Sequence, residues 1–325
     1  MRERLIEILR IALRNHVTDI HFSLKEDGSL VIEMRVSGII RRLRPGDDDA
    51  RFFHYLMYRA DLDLSDAMEP QTGSFEETVD NETLALRFAL VTSYHVTSGV
   101  LRILNNHGTL KSEQLSFDED QVHWLQNVMK HRSGLVIFSG PTGAGKTTTL
   151  YTLLNEVKGK KIFTLEDPIE VYNGKYVQLA VNEKRGFGYA DGIRQLMRHD
   201  PDMIMIGEIR DEQAARMAVR CALTGHLVVT SLHAGSCVIA LERMMDLGVN
   251  KAQLLDVIRG ISNQRLFDTE DGRKTCVYEI MDQKEVMHYC TRGTCSDRFT
   301  PLAKAVENAV ENGWIPAEQA QEDLD

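Results

Sequence analysis

One stretch constrains this chain more than any other: Gly140-Pro141-Thr142-Gly143-Ala144-Gly145-Lys146-Thr147, directly after the apolar run Leu135-Val136-Ile137-Phe138-Ser139. It fits the pattern of a glycine, four residues, then Gly-Lys-Ser/Thr, in which a strand passes through a loop into a helix. A triphosphate is a dense block of negative charge, and bare backbone N–H groups at a helix N-terminus can surround it. Glycines let the backbone approach because no Cβ intervenes and positive φ is allowed. Lys146 would reach the β- and γ-phosphates, and the Thr147 hydroxyl would hold Mg²⁺. Lys146 to Val157 reads as the helix that the pattern requires. The candidate nucleotide-binding residues are therefore Gly140, Pro141, Thr142, Gly143, Ala144, Gly145, Lys146, Thr147 and Thr148, with ATP and Mg²⁺ as the implied substrate and cofactor.

A helix over Asp118–His131 and four short apolar runs, Leu135–Ser139, Lys161–Leu165, Met203–Ile206 and Leu227–Ser231, set the frame around the loop. Apolar runs alternating with helices mean a parallel sheet covered on both faces. Ligands of such sheets sit at the carboxyl ends of the strands, and that rule selects residues. Glu166 and Asp167 follow the second run, Glu208 the third and His233 the fourth. Asp167-Pro168 alone is an ordinary turn, and Glu208 alone could simply pair with Arg210. Their shared strand-end position favours chemistry: an acid there can act on water directly or through Mg²⁺. Glu170 reads as a supporting residue, and His226 as either a site residue or a helix-end histidine.

The first hundred residues carry a different pattern. Arg4 to Asn15 spaces Leu5, Ile8, Leu9, Ala12 and Leu13 as an amphipathic helix. Alternating strands are expected at Thr18–Leu24, Leu30–Val36 and Gly38–Leu43, with an exposed loop from Pro45 to Asp49 and a helix from Arg51 to Leu62. A second hairpin opens at Gln71 and turns at Asp80-Asn81; its return strand is Leu84–Thr92, and Val100–Leu104 adds one more strand. The fold class expected is α/β: a P-loop domain preceded by a smaller α+β domain with a largely antiparallel sheet. The boundaries expected are an N-terminal domain over 1–104, a linker over 105–117, an ATPase domain over 118–280 and a C-terminal helical tail over 281–325. In that tail Leu302, Ala305, Val306 and Val310 are spaced as a helix, with Gly313 as the stop.

Composition narrows the partners. Acidic residues outnumber basic ones 48 to 38, for a net charge of −10, which disfavours wrapping nucleic acid. The small patch Arg41-Arg42-Leu43-Arg44 reads as a solvated strand end, so no direct nucleic-acid binding is expected. No apolar run reaches bilayer length and the opening residues do not resemble a secretory signal. A cytoplasmic protein is expected, its membrane association mediated by partners. The five cysteines, Cys221, Cys237, Cys276, Cys290 and Cys295, form no C-x-x-C pair, so neither a disulfide framework nor a zinc site is expected.

Several blocks occur in a fixed order: Gly140 to Tyr151; Glu166-Asp167-Pro168-Ile169-Glu170; Asp200-Pro201-Asp202; Gly207-Glu208-Ile209-Arg210-Asp211; Leu223 to Val228 with Leu232-His233. Together they resemble the Walker A, Asp box, Walker B and His box of the ATPases of type II secretion and type IV pilus systems. Thr18-Asp19-Ile20-His21-Phe22, Gln71-Thr72-Gly73, and Gln264-Arg265-Leu266 followed by Gly272-Arg273 resemble outlying motifs of that family. The resemblance implies a homo-hexameric, RecA-like motor with a flexibly linked, PAS-like N-terminal domain. It implies that nucleotide lies between the two domains and that arginines of the first help neutralise the phosphates. Arg87 and Arg102 fall where those arginines would be; the alternative is a pair of surface strand arginines. Glu208 would position or activate water, Glu166 would lie near the metal and γ-phosphate, and His233 would sense the γ-phosphate. Arg194 and Arg198 match family arginines whose role here is open.

Departures also matter. Only Phe267 to Asp271 separates the Gln-Arg-Leu and Gly-Arg motifs, so the tetracysteine zinc insertion of larger relatives is missing, and their N-terminal docking extension is expected to be missing too. Gln213 stands where relatives commonly have Glu, and Ala234-Gly235-Ser236-Cys237 departs from the usual sequence after the His-box histidine. The short, zinc-less form resembles the competence ATPases of Gram-positive bacteria. The expected function is a hexameric motor that works on an inner-membrane platform protein to assemble a pilus-like fibre for DNA uptake. The alternatives are a retraction or general secretion motor, or a regulatory module controlled by nucleotide.

Overall fold

A computed structural model of the chain describes residues 1–15, 17–36, 39–44, 48–64, 69–104, 110–182, 186–270 and 272–324. The chain divides into two compact units, Met1–Gly108 with Glu170–Tyr172, and Thr109–Ile169 with Asn173–Asp325.

The first unit contains α1 (Arg2–Arg14), β1 (Asp19–Lys25), β2 (Leu30–Val36), β3 (Ile39–Arg42), α2 (Asp49–Arg59), β4 (Gln71–Val79), β5 (Glu82–Thr92) and β6 (Val96–Ile103). Its six strands run in the order β3-β2-β1-β6-β5-β4, every pair antiparallel. Helix α1 buries Leu5, Ile8, Leu9 and Ala12 on one face, and β2 alternates buried Leu30, Ile32 and Met34 with less buried neighbours, the two periodicities that pack a helix on a sheet. Phe22, Phe52, Phe53 and Phe88 fill the resulting core. Buried Glu77 is answered by Arg2 at 2.8 Å and Arg59 at 2.6 Å. The Gln71-Thr72-Gly73 motif has a structural account. The Gln71 side chain exchanges two hydrogen bonds with the Asp63 backbone, and a Cβ on Gly73 would lie 1.8 Å from the Ala60 carbonyl oxygen. Strand β6 begins four residues before Val100; of the expected Gly38–Leu43 strand, Gly38 lies outside the described residues, as do Pro45 to Asp47 of the loop that follows.

The second unit contains α3 (Glu119–Val128), β7 (Gly134–Ser139), α4 (Lys146–Glu156), β8 (Ile162–Glu166), β9 (Val177–Ala180), α5 (Tyr189–Leu196), β10 (Met203–Ile206), α6 (Glu212–Leu223), β11 (Leu227–Leu232), α7 (Cys237–Asp246), α8 (Lys251–Val257), β12 (Ile258–Asp268), β13 (Lys274–Asp282), α9 (Gln283–Arg292), α10 (Leu302–Glu311) and α11 (Ala317–Leu324). The sheet order is β13-β12-β7-β11-β10-β8-β9, parallel except for β13. Strands β7, β8, β10 and β11 are buried along their whole length, which is why they read as unbroken apolar runs rather than alternations. The chain leaves β7, returns at β8, works inward through β10 and β11, then crosses to the other side of β7 as β12. The reversal therefore occurs at the loop after β7, where open sheets form their ligand crevice.

Within the stretch expected as a linker, 105–109 lies outside the described residues and 110–117 packs on the second unit. Ser112 is buried, its amide and hydroxyl bonded to Glu156 at 2.7 Å each, and the Leu115 carbonyl accepts from Cys276 N. Polar composition suggested a connection there, but these polar groups are spent on tertiary hydrogen bonds.

Candidate active site

The loop after β7 has the backbone its sequence demands. Gly140, Gly143 and Gly145 have φ of +147°, +81° and +83°, a region that L side chains rarely adopt. A Cβ on Gly140 would sit 2.7 Å from the Gln264 carbonyl oxygen, whereas one on Gly143 would meet nothing within 4 Å. One face of the loop is thus pressed against β12 and the other is open, the shape of a phosphate cradle. Lys146 opens α4; it is 8% exposed, and its ammonium donates to the Gly140 and Pro141 carbonyls at 2.8 Å each.

Three strand ends deliver side chains beside the loop. At the end of β8, Glu166 is 3% exposed; its Oε1 accepts from Thr164 Oγ1 at 2.6 Å, Tyr151 Oη at 2.7 Å and Gln178 Nε2 at 3.3 Å. Burial, then the Glu166 charge, push the Tyr151 hydroxyl well above its ordinary range, so it stays a donor. After β10 comes Gly207, where a Cβ would be 3.3 Å from Glu166 Cγ, which brings the next residue up against the end of β8. That residue, Glu208, accepts from Arg210 Nε at 3.1 Å and lies 3.3 Å from His233 Nε2 at the end of β11. Arg210 also reaches Asp167 at 3.3 Å, so Asp167, Arg210, Glu208 and His233 form one chain. Burial holds the His233 imidazole below its usual range, and the Lys146 ammonium adds to that against the opposing pull of Glu208. The imidazole is therefore neutral at pH 7, and it feels the loop lysine as well as the acid.

The structure brings Glu166, Glu208, His233 and the residues from Gly140 to Thr148 to one end of one sheet. Arg87 and Arg102 belong to the first unit, directly opposite each other on β5 and β6. Arg102 donates to Asp19 at 2.6 Å; burial, then the neighbouring Arg102 charge, lower the Arg87 pKa. His226 sits after α6 at the amino end of β11, its Nδ1 3.2 Å from both the Cys221 carbonyl oxygen and Thr224 Oγ1. That is a helix-end histidine, remote from the strand ends that carry the site. Arg194 pairs with Asp191 one helical turn earlier.

Supporting residues surround the loop; Asn263 and Tyr278 carried no clear sequence signal, whereas Gln264 belongs to an outlying motif. Asn263 Nδ2 on β12 donates to Ser139 Oγ and to the Ala234 carbonyl, both at 2.9 Å, joining the base of the phosphate loop to the segment after His233. Gln264 Nε2 donates to the Ala144 carbonyl at 2.6 Å. Thr149 of α4 is hydrogen-bonded to Tyr278 on β13 at 2.9 Å. The motif beginning Gln264-Arg265-Leu266 is thus the floor of the phosphate loop.

The donor set suits Mg²⁺ with a nucleotide. Among the described residues no group of three or more His, Cys, Asp or Glu side chains could hold a metal ion. Mg²⁺ needs none, since it takes one or two protein oxygens and completes its shell with phosphates and water.

The chain is similar to several known proteins. The type II/IV secretion system protein family model matches residues 2–307. The competence protein ComGA of Bacillus subtilis (strain 168) is 34% identical over 301 residues, covering 86% of this chain and 84% of that one. The type IV pilus assembly ATPase TfpB of Acinetobacter baylyi is 35% identical over 266 residues, covering 80% of this chain but 45% of its own length. Among solved structures, the pilus retraction motor PilT with bound ADP aligns with a TM-score of 0.78 over 98% of this chain and 96% of that one, at 24% identity.

Proposed function

The chain belongs to the type II/IV secretion system protein family and is an ATPase, and on that premise we propose that it is the hexameric motor that drives assembly of a competence pilus, a type IV-like fibre for DNA uptake in transformation. In this reading the second unit is a RecA-like motor and the first a PAS-like unit. The motor works from the cytoplasm on an inner-membrane platform protein and does not itself touch DNA. Support for the competence assignment comes from the match to ComGA, which extends over most of both chains, whereas TfpB is matched over less than half its length. The likeness to PilT speaks for the fold and leaves a retraction role without support of its own.

The observation that carries the hydrolytic reading is the 3.3 Å approach of His233 to Glu208 beside the loop that holds Lys146. On nucleotide binding, Lys146 exchanges the Gly140 and Pro141 carbonyls for phosphate oxygens. Glu208, aimed by Arg210, orients the attacking water. Neutral His233 donates to the γ-phosphate and registers its loss. Arg87 and Arg102 add positive charge to the phosphates. Thr147 and Glu166 would hold Mg²⁺, which would supply positive charge against the phosphates. The test is genetic and biochemical together. A strain lacking the gene should regain transformation from the wild-type copy but not from Lys146→Ala or Glu208→Gln copies, and the purified protein with ATP should give a six-fold particle by native mass measurement. A protein that stays monomeric at saturating ATP, or a Lys146→Ala copy that restores transformation, would sink the proposal.

A further inference from the structure

The β12–β13 hairpin carries a side chain that the site described above does not use. Glu279 on β13 is 3% exposed, and its two oxygens accept from the first amides of two different helices. Oε1 takes Cys237 N at 2.5 Å, at the start of α7, and Oε2 takes Leu302 N at 2.8 Å, at the start of α10. The first amides of a helix have no intrahelical acceptor, and that end carries partial positive charge, so a buried carboxylate suits both. In the sheet register Glu279 stands opposite Asn263, the residue that holds the Ala234 carbonyl. Arg243 of α7 donates to the His233 carbonyl at 2.9 Å. The segment from His233 to Cys237 is therefore fixed at its first residue by Arg243, at its second by Asn263 and at its last by Glu279. Through its other oxygen Glu279 reaches α10, whose Ala305, Val306 and Ala309 pack with Phe267 and Val277 of the same hairpin.

We infer that Glu279 is a positioning residue that ties the seating of the C-terminal helix α10 to the placement of the His233 segment. The two ends it bridges cannot shift independently, because moving either helix start leaves a buried amide or a carboxylate oxygen without its partner. The tail thereby sets the hydrolytic step rather than nucleotide affinity. This inference rests on the reading of His233 as the γ-phosphate sensor.

The experiment uses the full chain with three readouts: steady-state ATP hydrolysis, affinity for a non-hydrolysable ATP analogue, and amide hydrogen exchange with and without that analogue. Glu279→Gln keeps the volume but turns an amide donor toward one helix start; kcat should fall about tenfold, the loss of one charge-assisted hydrogen bond, with analogue affinity nearly unchanged. Leu302→Pro deletes the α10 amide of the bridge, and Leu302→Ala, which loses the same packed side chain but keeps that amide, is its control. Proline suits the first turn of a helix, and Pro301 already has φ −60° and ψ 156°, the extended conformation required before it. It should likewise lower kcat without lowering affinity. In the wild type the analogue should slow exchange at the start of α10, and both variants should lose that response. Unchanged kcat in both variants overturns the inference, as does a parallel loss of kcat and affinity. His233→Ala separates the two readings. If it retains kcat the sensor reading fails, and the exchange response of α10 alone then decides: present in the wild type and lost in Leu302→Pro sustains the tie, absent in the wild type refutes it.

Discussion

His233 Nε2 lies 3.3 Å from a carboxylate oxygen of Glu208, although 24 residues and a whole helix, α6, separate the two in the chain. Each stands just past the carboxyl end of a buried strand, β11 and β10, and those strands are hydrogen-bonded neighbours. The pairing follows from the sheet, and it supplies an acid beside an imidazole that is neutral at pH 7.

Replacing Glu208 by Gln should lower kcat by about 10²- to 10⁴-fold, the usual worth of a positioned acid or base, while nucleotide still binds. Phosphate release and fluorescent-nucleotide titration measure the two separately. A variant that hydrolyses within threefold of the wild-type rate would remove Glu208 from the mechanism.

Lys146→Ala should abolish hydrolysis and weaken ATP binding together, because the ammonium contacts the phosphates in both ground and transition states. Retention of measurable turnover at saturating ATP would show that the loop lysine is dispensable.

The pH profile should carry an acid limb from His233. Its pKa is held below the ordinary histidine value by burial and by Lys146, so the imidazole is neutral through the neutral range and becomes charged only as the pH falls below about 6.5. Activity should therefore be lost on acidification, with a midpoint below that value, and this limb should vanish from the residual activity of His233→Ala. The same depressed pKa means that the unfolded state binds the proton more readily, so this group's contribution to stability is present above the unfolded value and fades as the pH falls through the folded one. An acid limb centred above pH 7, or one unchanged by the substitution, would contradict this account.

Tyr151→Phe removes one of the donors converging on buried Glu166. A hydrogen bond to a charged acceptor contributes about 1.5–3 kcal/mol, so unfolding in denaturant should shift by that order, with hydrolysis slowed. No change in either measurement would show that Thr164 and Gln178 suffice.

Gln264→Ala strips the support from the Ala144 carbonyl in the phosphate loop. Leaving a buried acceptor unmet costs about 1–3 kcal/mol, and the effect should appear as weaker nucleotide binding more than as slower chemistry. Titration with an ATP analogue checks it; unaltered affinity would mean that the loop holds its shape without β12.

The strands that carry the site were legible because burial on both faces leaves a plain signature. The runs Leu135–Ser139, Met203–Ile206 and Leu227–Ser231 are largely apolar, and the residue that matters follows each within two positions. The glycine-rich loop was legible because its φ values admit few other residues. Strand β12 was not read, since Ser262, Asn263 and Gln264 lie in its middle with 0% exposure, a polar stretch that fits neither alternation nor an apolar run. The Asn263 and Gln264 amides are accommodated because their partners come from elsewhere, Ser139, Ala144 and Ala234, and Ser262 meets Ser139 through its backbone carbonyl. Polar groups in 110–117 are likewise taken up at a distance in the chain, by Glu156 and Cys276.

The amino-acid sequence by itself determined where a phosphate can be cradled, which acids and which histidine stand at strand ends, and that an antiparallel α+β unit precedes a parallel α/β unit. These are local matters of glycine, periodicity and run length. Only the tertiary structure decided that His233 meets Glu208, that Arg210 links Glu208 to Asp167, that β12 floors the phosphate loop, and that Glu279 joins two helix starts. Each of those depends on which strands become neighbours, and strand order is set by packing and hydrogen bonding between segments far apart in the chain.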